Sequence, residues 1–199
     1  MKKETIVAFD FDGTITQKDT LIEFIKFTKG HIRLYFGVLV FSPMFIAMKL
    51  KMMPNWKVKQ LFFSCLYKNI PIEQFTKWCI DFSVIIDRVL YPKAVEAIKL
   101  HKKCNDKVII ISASIENWIK PWADKMGIDI ILATKIEADE KGFLTGRFLT
   151  KNCYGQEKVD RLLEQFPKRN NYKFIAYGDS RGDKELIEFA DEGFFKKFN

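Results

Sequence analysis

The chain has 199 residues, a formal net charge of +8 and 48% hydrophobic residues, which allows a full α/β domain plus a small accessory domain and excludes a disordered chain. Cys65, Cys79, Cys104 and Cys153 are irregularly spaced with no Cys-x-x-Cys, which argues against a disulfide framework and fits reduced, mostly buried thiols in a cytoplasmic protein.

The start, Met1-Lys2-Lys3-Glu4-Thr5, enters a strand at once and reads as lacking a signal peptide. Ile6-Val7-Ala8-Phe9 is a short apolar run of β-formers, the pattern of a strand buried on both faces. Asp10-Phe11-Asp12-Gly13-Thr14 follows, with two carboxylates one residue apart and an Asp-Gly turn signal. Strand alternation would point Asp10 and Asp12 the same way, and like charges that close call for a hard cation or for acid/base work.

Residues 17–91 are mostly helical in pattern. Asp19-Thr20-Leu21 reads as a capped helix start, and Pro54 and Pro71 as points where helices begin or separate. About 75 residues after the first strand exceed an ordinary crossover. The surplus charge lies here. Between Glu23 and Glu73 there is no acid, against eight cations: Lys26, Lys29, Arg33, Lys49, Lys51, Lys57, Lys59 and Lys68. Such a bias favours anionic partners. Leu34 to Met48 is fifteen residues without charge, too short for a span and interrupted by Ser42-Pro43. It reads first as a buried helix or helical hairpin. The alternative is an interfacial segment with its apolar part in lipid and its cations near anionic headgroups.

After Pro92 a βα rhythm resumes, with helix 93–104, strand 108–112, helix 115–126 and strand 129–133, and Gly142–Phe148 alternates like a hairpin arm. Val108-Ile109-Ile110-Ile111-Ser112 ends in a hydroxyl, and Ala113-Ser114 follow with backbone N–H groups suited to an anion. Gly155-Gln156-Glu157-Lys158 opens a helix from which Lys158 can reach back as a fixed positive charge. Phe174-Ile175-Ala176-Tyr177-Gly178 is a third apolar strand, ending at Asp179 and Asp183. In an open parallel sheet such strand ends share one edge, so Asp10, Asp12, Ser112, Lys158, Asp179 and Asp183 are expected to converge. No P-loop occurs, His31 and His101 lack metal-ligand spacing, and no nucleic-acid-reading motif accompanies the basic charge.

In this order the four motifs, Asp10-Phe-Asp-Gly-Thr14, Ser112, Lys158 and Gly178-Asp-Ser-Arg-Gly-Asp183, resemble the haloacid dehalogenase superfamily phosphatases, in the branch of the phosphoserine phosphatases (subfamily IB). The resemblance implies a Rossmann-like α/β core, residues 1–16 and 92–199, with a parallel sheet flanked by helices, and an inserted helical cap over residues 17–91. It implies Asp10 as a nucleophile that forms an aspartyl-phosphate, and Asp12 as general acid and base. Ser112, Ala113 and Lys158 would hold the phosphoryl oxygens. Mg²⁺ would sit on Asp10, Asp12 (through its main-chain carbonyl), Asp179 and Asp183, an all-oxygen set without a His/Cys cluster. Asp12 argues against carbon-halogen cleavage, since the dehalogenase branch lacks that acid.

Asp19 occupies the position where phosphoserine phosphatases carry the glutamate that meets the substrate ammonium, and Gly13 replaces their serine. The apolar cap segment and Cys153-Tyr-Gly-Gln-Glu-Lys158 resemble phosphatidylglycerophosphatase C. The implied substrates are a small phosphorylated metabolite, phosphoserine among them, or a phospholipid headgroup. A peripheral contact with the inner face of an anionic membrane through residues 24–72 goes with the lipid alternative.

Overall fold

The computed structural model describes residues 3–198. In chain order the elements are β1 (Glu4–Phe9), α1 (Thr20–Lys49), α2 (Asn55–Tyr67), α3 (Ile72–Asp87), α4 (Pro92–Lys103), β2 (Lys107–Ile115), α5 (Glu116–Lys125), β3 (Ile130–Thr134), β4 (Ile136–Ala138), β5 (Leu144–Phe148), α6 (Gln156–Gln165), β6 (Tyr172–Gly178), α7 (Lys184–Phe189) and β7 (Glu192–Phe195). Five of the strands form one parallel sheet, ordered β3-β2-β1-β6-β7.

Alternation along the strands builds two apolar layers. Val7 and Phe9 pack on one side with Trp118, Ile119 and Trp122 of α5, while Ile6 and Ala8 pack on the other with Val159 and Leu162 of α6. A strand buried on both faces has no polar position, so β1 appears in sequence as an unbroken apolar run. From β1 the chain winds outward through β2 and β3, then returns to β6 on the opposite side of β1. The C-terminal end of β1 therefore lies where the winding reverses, the place where ligands settle in such sheets.

Between β1 and α4 stand the three helices α1–α3. Asp19 caps α1, its Oδ1 accepting from the Ile22 N–H at 3.1 Å. Helix α1 breaks at Gly30, whose φ of 79° is left-handed, and continues from residue 31 to Lys49 with Pro43 inside it. Pro54 and Pro71 each directly precede the first residue of a helix. An aromatic cluster of Phe24, Tyr67, Phe75, Phe82 and Trp118 joins α1, α2 and α3 to α5, with ring centroids 4.9–5.7 Å apart around Phe24. The β4–β5 hairpin adds a buttress beneath α2, bonding backbone to backbone at Asn69, Ile70 and Ile72.

Two sequence expectations change. Residues 34–48 are neither a buried helix nor a hairpin. The helix runs through Ser42-Pro43, and only Leu34 and Gly37 of this stretch are buried, because only one stripe of it meets α2. The four thiols are free, but only Cys79 and Cys153 are buried, while Cys65 and Cys104 lie at the surface.

Candidate active site

Asp10 directly follows β1 and keeps its register, its N–H donating to Tyr177 O at 2.9 Å. Beyond it the chain turns sharply, with Thr16 N–H returning to Phe11 O at 2.9 Å. The Asp10 carboxylate is nearly buried and meets Lys158, which stands in the first turn of α6. The Lys158 Nζ donates to Asp10 Oδ1 at 2.8 Å, to Ile111 O at 3.0 Å and to Asp183 Oδ1. All three donors of the ammonium are used, and the side chain is 2% exposed. Asp183 turns its second oxygen back on its own loop, accepting from Ser180 N–H at 2.9 Å and Ser180 Oγ at 2.8 Å.

Asp10, Asp179 and Asp183 place carboxylate oxygens within 4.8 Å of one another. Three carboxylates against one ammonium leave two negative charges in a site closed to most water, which a divalent ion would offset. The donors are all hard oxygens, the set that suits Mg²⁺. Gly13 makes the close approach possible. Its φ is +78°, and a Cβ there would lie 2.2 Å from Asp179 Oδ2. Gly13→Ala is therefore expected to displace Asp179, raising the Mg²⁺ concentration for half-maximal activity at least tenfold while the protein still folds. A Mg²⁺ titration of activity reads this, and an unchanged midpoint would remove Asp179 from the metal set.

The Asp12 carboxylate is not part of that cluster. Its Oδ1 accepts from Thr20 N–H at 2.9 Å and Thr20 Oγ1 at 2.6 Å, and its Oδ2 from Ser114 Oγ. Both acids still line one cavity, as strand alternation predicts, but at separate points of it. The turn after Asp10 carries the Asp12 carboxylate towards Thr20 at the start of α1, apart from the Asp10–Asp179–Asp183 cluster. Ser112 is buried with its Oγ accepting from Ser114 N–H at 3.1 Å, and both face the same cavity. Asp19 lies on the rim of this cavity and spends one oxygen on capping α1.

Burial, with Asp183 and Asp12 nearby, pushes Asp10 up to about 7 against the pull of Lys158. Burial, with Asp19 adding to it, pushes Asp12 up to about 6, although the Ser114 and Thr20 hydrogen bonds favour its ionised form. Asp179 is raised by burial and by Asp183. Asp183 moves the other way: burial raises it, but the charge and hydrogen bond of Lys158 together with the Ser180 hydrogen bonds bring it below its ordinary value.

The cavity holds about 510 Å³. Its floor is Asp10, Asp12, Ser112 and Lys158, and its upper wall comes from the inserted helices: Ile22, Phe45, Met48, Val58, Lys59 and Phe62. Sequence reasoning counted Lys59 only as one of eight basic residues. Its Nζ bonds Ala113 O at 2.7 Å, beside the expected phosphate site, with no carboxylate in contact. Burial lowers its pKa, and the acids at Asp12, Asp19 and Asp10 oppose that shift. Thr20, which holds Asp12, was also missed as a site residue, its only sequence signal being its place next to Asp19; Ser114 was read for its backbone N–H and not for the hydroxyl that meets Asp12.

Comparison with known proteins agrees with this layout. Residues 7–188 match the family model for haloacid dehalogenase-like hydrolases. Protein CicA of Caulobacter vibrioides is 32% identical over 194 residues, 97% of this chain and 86% of that protein. A Bordetella pertussis protein of unknown function shares the fold at a TM-score of 0.81 and 18% identity, over 94% of this chain and 87% of that one. A phosphoserine phosphatase solved as a phospho-aspartyl intermediate analogue does so at 0.66 and 21% identity, over 98% and 86%. With a family model spanning most of its length and a relative alike from end to end, the chain belongs to the haloacid dehalogenase-like hydrolase family.

Proposed function

We propose that this protein is a Mg²⁺-dependent phosphomonoester hydrolase that works through an aspartyl-phosphate on Asp10. The observation that carries the reading is Lys158, which ties Asp10 to Asp183 beside Asp179 although the four come from three separate segments. Mg²⁺ held by Asp10, Asp179, Asp183 and the Asp12 main chain would supply charge neutralisation at the phosphoryl oxygens. With Lys158 on Oδ1, Asp10 Oδ2 is the oxygen left to attack phosphorus. The new P–O bond forms as the ester P–O bond breaks, and Asp12 hands its proton to the departing oxygen. Asp12, now ionised, takes a proton from water, whose oxygen displaces Asp10 and releases inorganic phosphate. A pKa near 6 suits both halves of that cycle. Ser112, the Ala113 N–H and Lys158 would orient the phosphoryl group.

The helices α1–α3 serve in this reading as a cap whose closure keeps water from the phosphoryl group. Its apolar wall favours a phospholipid headgroup over a small polar metabolite, with Lys59 facing a second anionic group of the substrate. Asp19 supports phosphoserine less, since capping α1 already occupies one of its oxygens. The reading includes a cytoplasmic protein whose cap touches the inner face of an anionic membrane through residues 24–72.

The test is phosphate release from a panel of phosphoserine, glycerol phosphate, aryl phosphate and lysolipid phosphomonoesters with Mg²⁺. EDTA should stop turnover, and the lysolipid should give the highest kcat/KM. Protein quenched in acid during turnover of a ³²P-labelled substrate should carry hydroxylamine-sensitive label, and added alcohols should not divert the phosphoryl group. Turnover that survives EDTA, or that never labels the protein, would overturn the reading.

A further inference from the structure

The most unusual surface of the molecule is the second half of α1. Ile32 is 86% exposed, Leu39 70%, Phe36 68% and Ile46 58%, and Leu50 and Met52 continue the patch. Scattered exposed apolar residues are ordinary, but here they share one face. At about 100° per residue, Ile32, Leu39, Pro43, Ile46 and Leu50 fall on a single stripe opposite Leu34, Gly37, Phe41 and Phe45. The latter stripe packs on Phe62 of α2 and on the cavity wall. The outward stripe has no partner among the described residues.

Charge decides what covers it. Arg33 and Lys49 project from the two flanks between the stripes, and Lys51 and Lys57 follow at the C-terminal end, all four exposed and outside any ion pair among the described residues. Of the other cations of this segment, Lys26 bonds Glu23, Lys29 lies over Tyr67 and Trp78 and Lys59 faces the cavity, while Lys68 is exposed past the far end of α2, away from the stripe in sequence. With no acid between Glu23 and Glu73, a second copy of this face would meet cation with cation, whereas an anionic bilayer satisfies both the apolar stripe and its basic rim.

The helix passes a length and composition test for crossing a membrane, with a mean hydropathy of 1.5 over its best window. Its geometry argues for another pose. One stripe is fastened to α2, so lipid cannot surround the helix, and the fifteen uncharged residues reach only about 22 Å against a hydrocarbon core of about 30 Å.

We propose that residues 31–56 dock the protein on an anionic bilayer, with the outward stripe of α1 immersed along the surface and Arg33, Lys49, Lys51 and Lys57 at headgroup level. The cavity rim then lies against the membrane. Met48 and Asn55 line the cavity, while Leu50, Met52 and Trp56 between and beside them are exposed. A phosphomonoester headgroup can enter Asp10's cavity without its chains leaving lipid. This pose refines the membrane contact of the proposed function and does not depend on turnover.

Co-sedimentation of the full chain with vesicles of phosphatidylcholine alone, and with 30% phosphatidylglycerol added, tests it. The protein should partition strongly onto the anionic vesicles and weakly onto the neutral ones. Leu39→Glu/Ile46→Glu should lower partitioning at least tenfold on both, and Arg33→Gln/Lys49→Gln about tenfold or more on the anionic vesicles alone. Both double variants should hydrolyse a soluble aryl phosphate within about twofold of the parent, which shows that they fold. Absence of binding by the parent protein would overturn the proposal. So would resistance to an alkaline carbonate wash, which marks a spanning helix, or a dimer that L39E/I46E dissolves without any vesicle binding. Vesicle binding by a protein that hydrolyses no phosphomonoester would leave the docking intact and sink the enzymatic reading instead.

Discussion

Asp10→Asn is expected to lower kcat by at least about 10⁴-fold, because the amide oxygen cannot form the covalent intermediate. The same change should stabilise the metal-free protein at neutral pH. The carboxylate of Asp10 ionises near its ordinary value of 3.8 in the unfolded chain but holds its proton to about 7 in the fold. The folded state therefore binds more protons between these limits, and stability falls as pH rises from about 4 to about 7. The slope from this one group is roughly 1.4 kcal/mol per pH unit. Asn carries no such cost. With EDTA present, the parent protein should lose thermal stability across this window faster than the variant, and at pH 7.5 the variant should be the more stable by a few kcal/mol. Mg²⁺ should narrow that gap. Saturation at 100 times Kd adds about 2.7 kcal/mol to a protein that binds the ion, and little to one that has lost a ligand. Equal pH slopes for the two proteins would mean that Asp10 is not the strained carboxylate described here.

Lys158→Met should be the most destabilising single substitution in the site. Taking the Lys158 charge from between Asp10 and Asp183 leaves two buried carboxylates without a counter-ion, a loss of about 3–5 kcal/mol. Turnover should fall by about 10²–10³-fold as well, because Asp10 loses the charge and hydrogen bond that fix its Oδ1. The sign of the pH effect is opposite to that of Asp10→Asn. Asp183 is held below the usual carboxylate range mainly by Lys158, so its stabilising contribution exists above that range and vanishes with the lysine. The deficit of Lys158→Met should therefore be small near pH 4 and largest at pH 7–8, where Asp183 ionises freely in the unfolded chain but has lost its counter-ion in the fold. Chemical denaturation at both pH values measures it. A variant within tenfold of parental activity would deny Lys158 its role.

The parallel core was open to view in the linear chain because its strands are buried on both faces, which leaves uninterrupted runs such as Ile6–Phe9 and Val108–Ile111. The topology also brought distant motifs together without further information: strand ends of a parallel sheet share an edge, so Asp10, Ser112 and Asp179 had to be neighbours. Lys158 was harder. Its position in a first turn was legible, but not its full burial between Asp10 and Asp183.

What the chain alone decided, then, is local and periodic: strands, helix starts at Asp19 and after Pro54 and Pro71, the order of the motifs, and a basic segment without acids. Contacts between remote parts decided the rest. The turn at Gly13 and the seat of Thr20 swung the Asp12 carboxylate away from Asp179, and the packing of α2 on the core brought Lys59 to Ala113. Hydropathy marked residues 34–48 as apolar but could not say whether neighbours covered them, since coverage belongs to the partner surface. With α2 only wide enough for one stripe of that helix, the opposite stripe was left to solvent or to lipid.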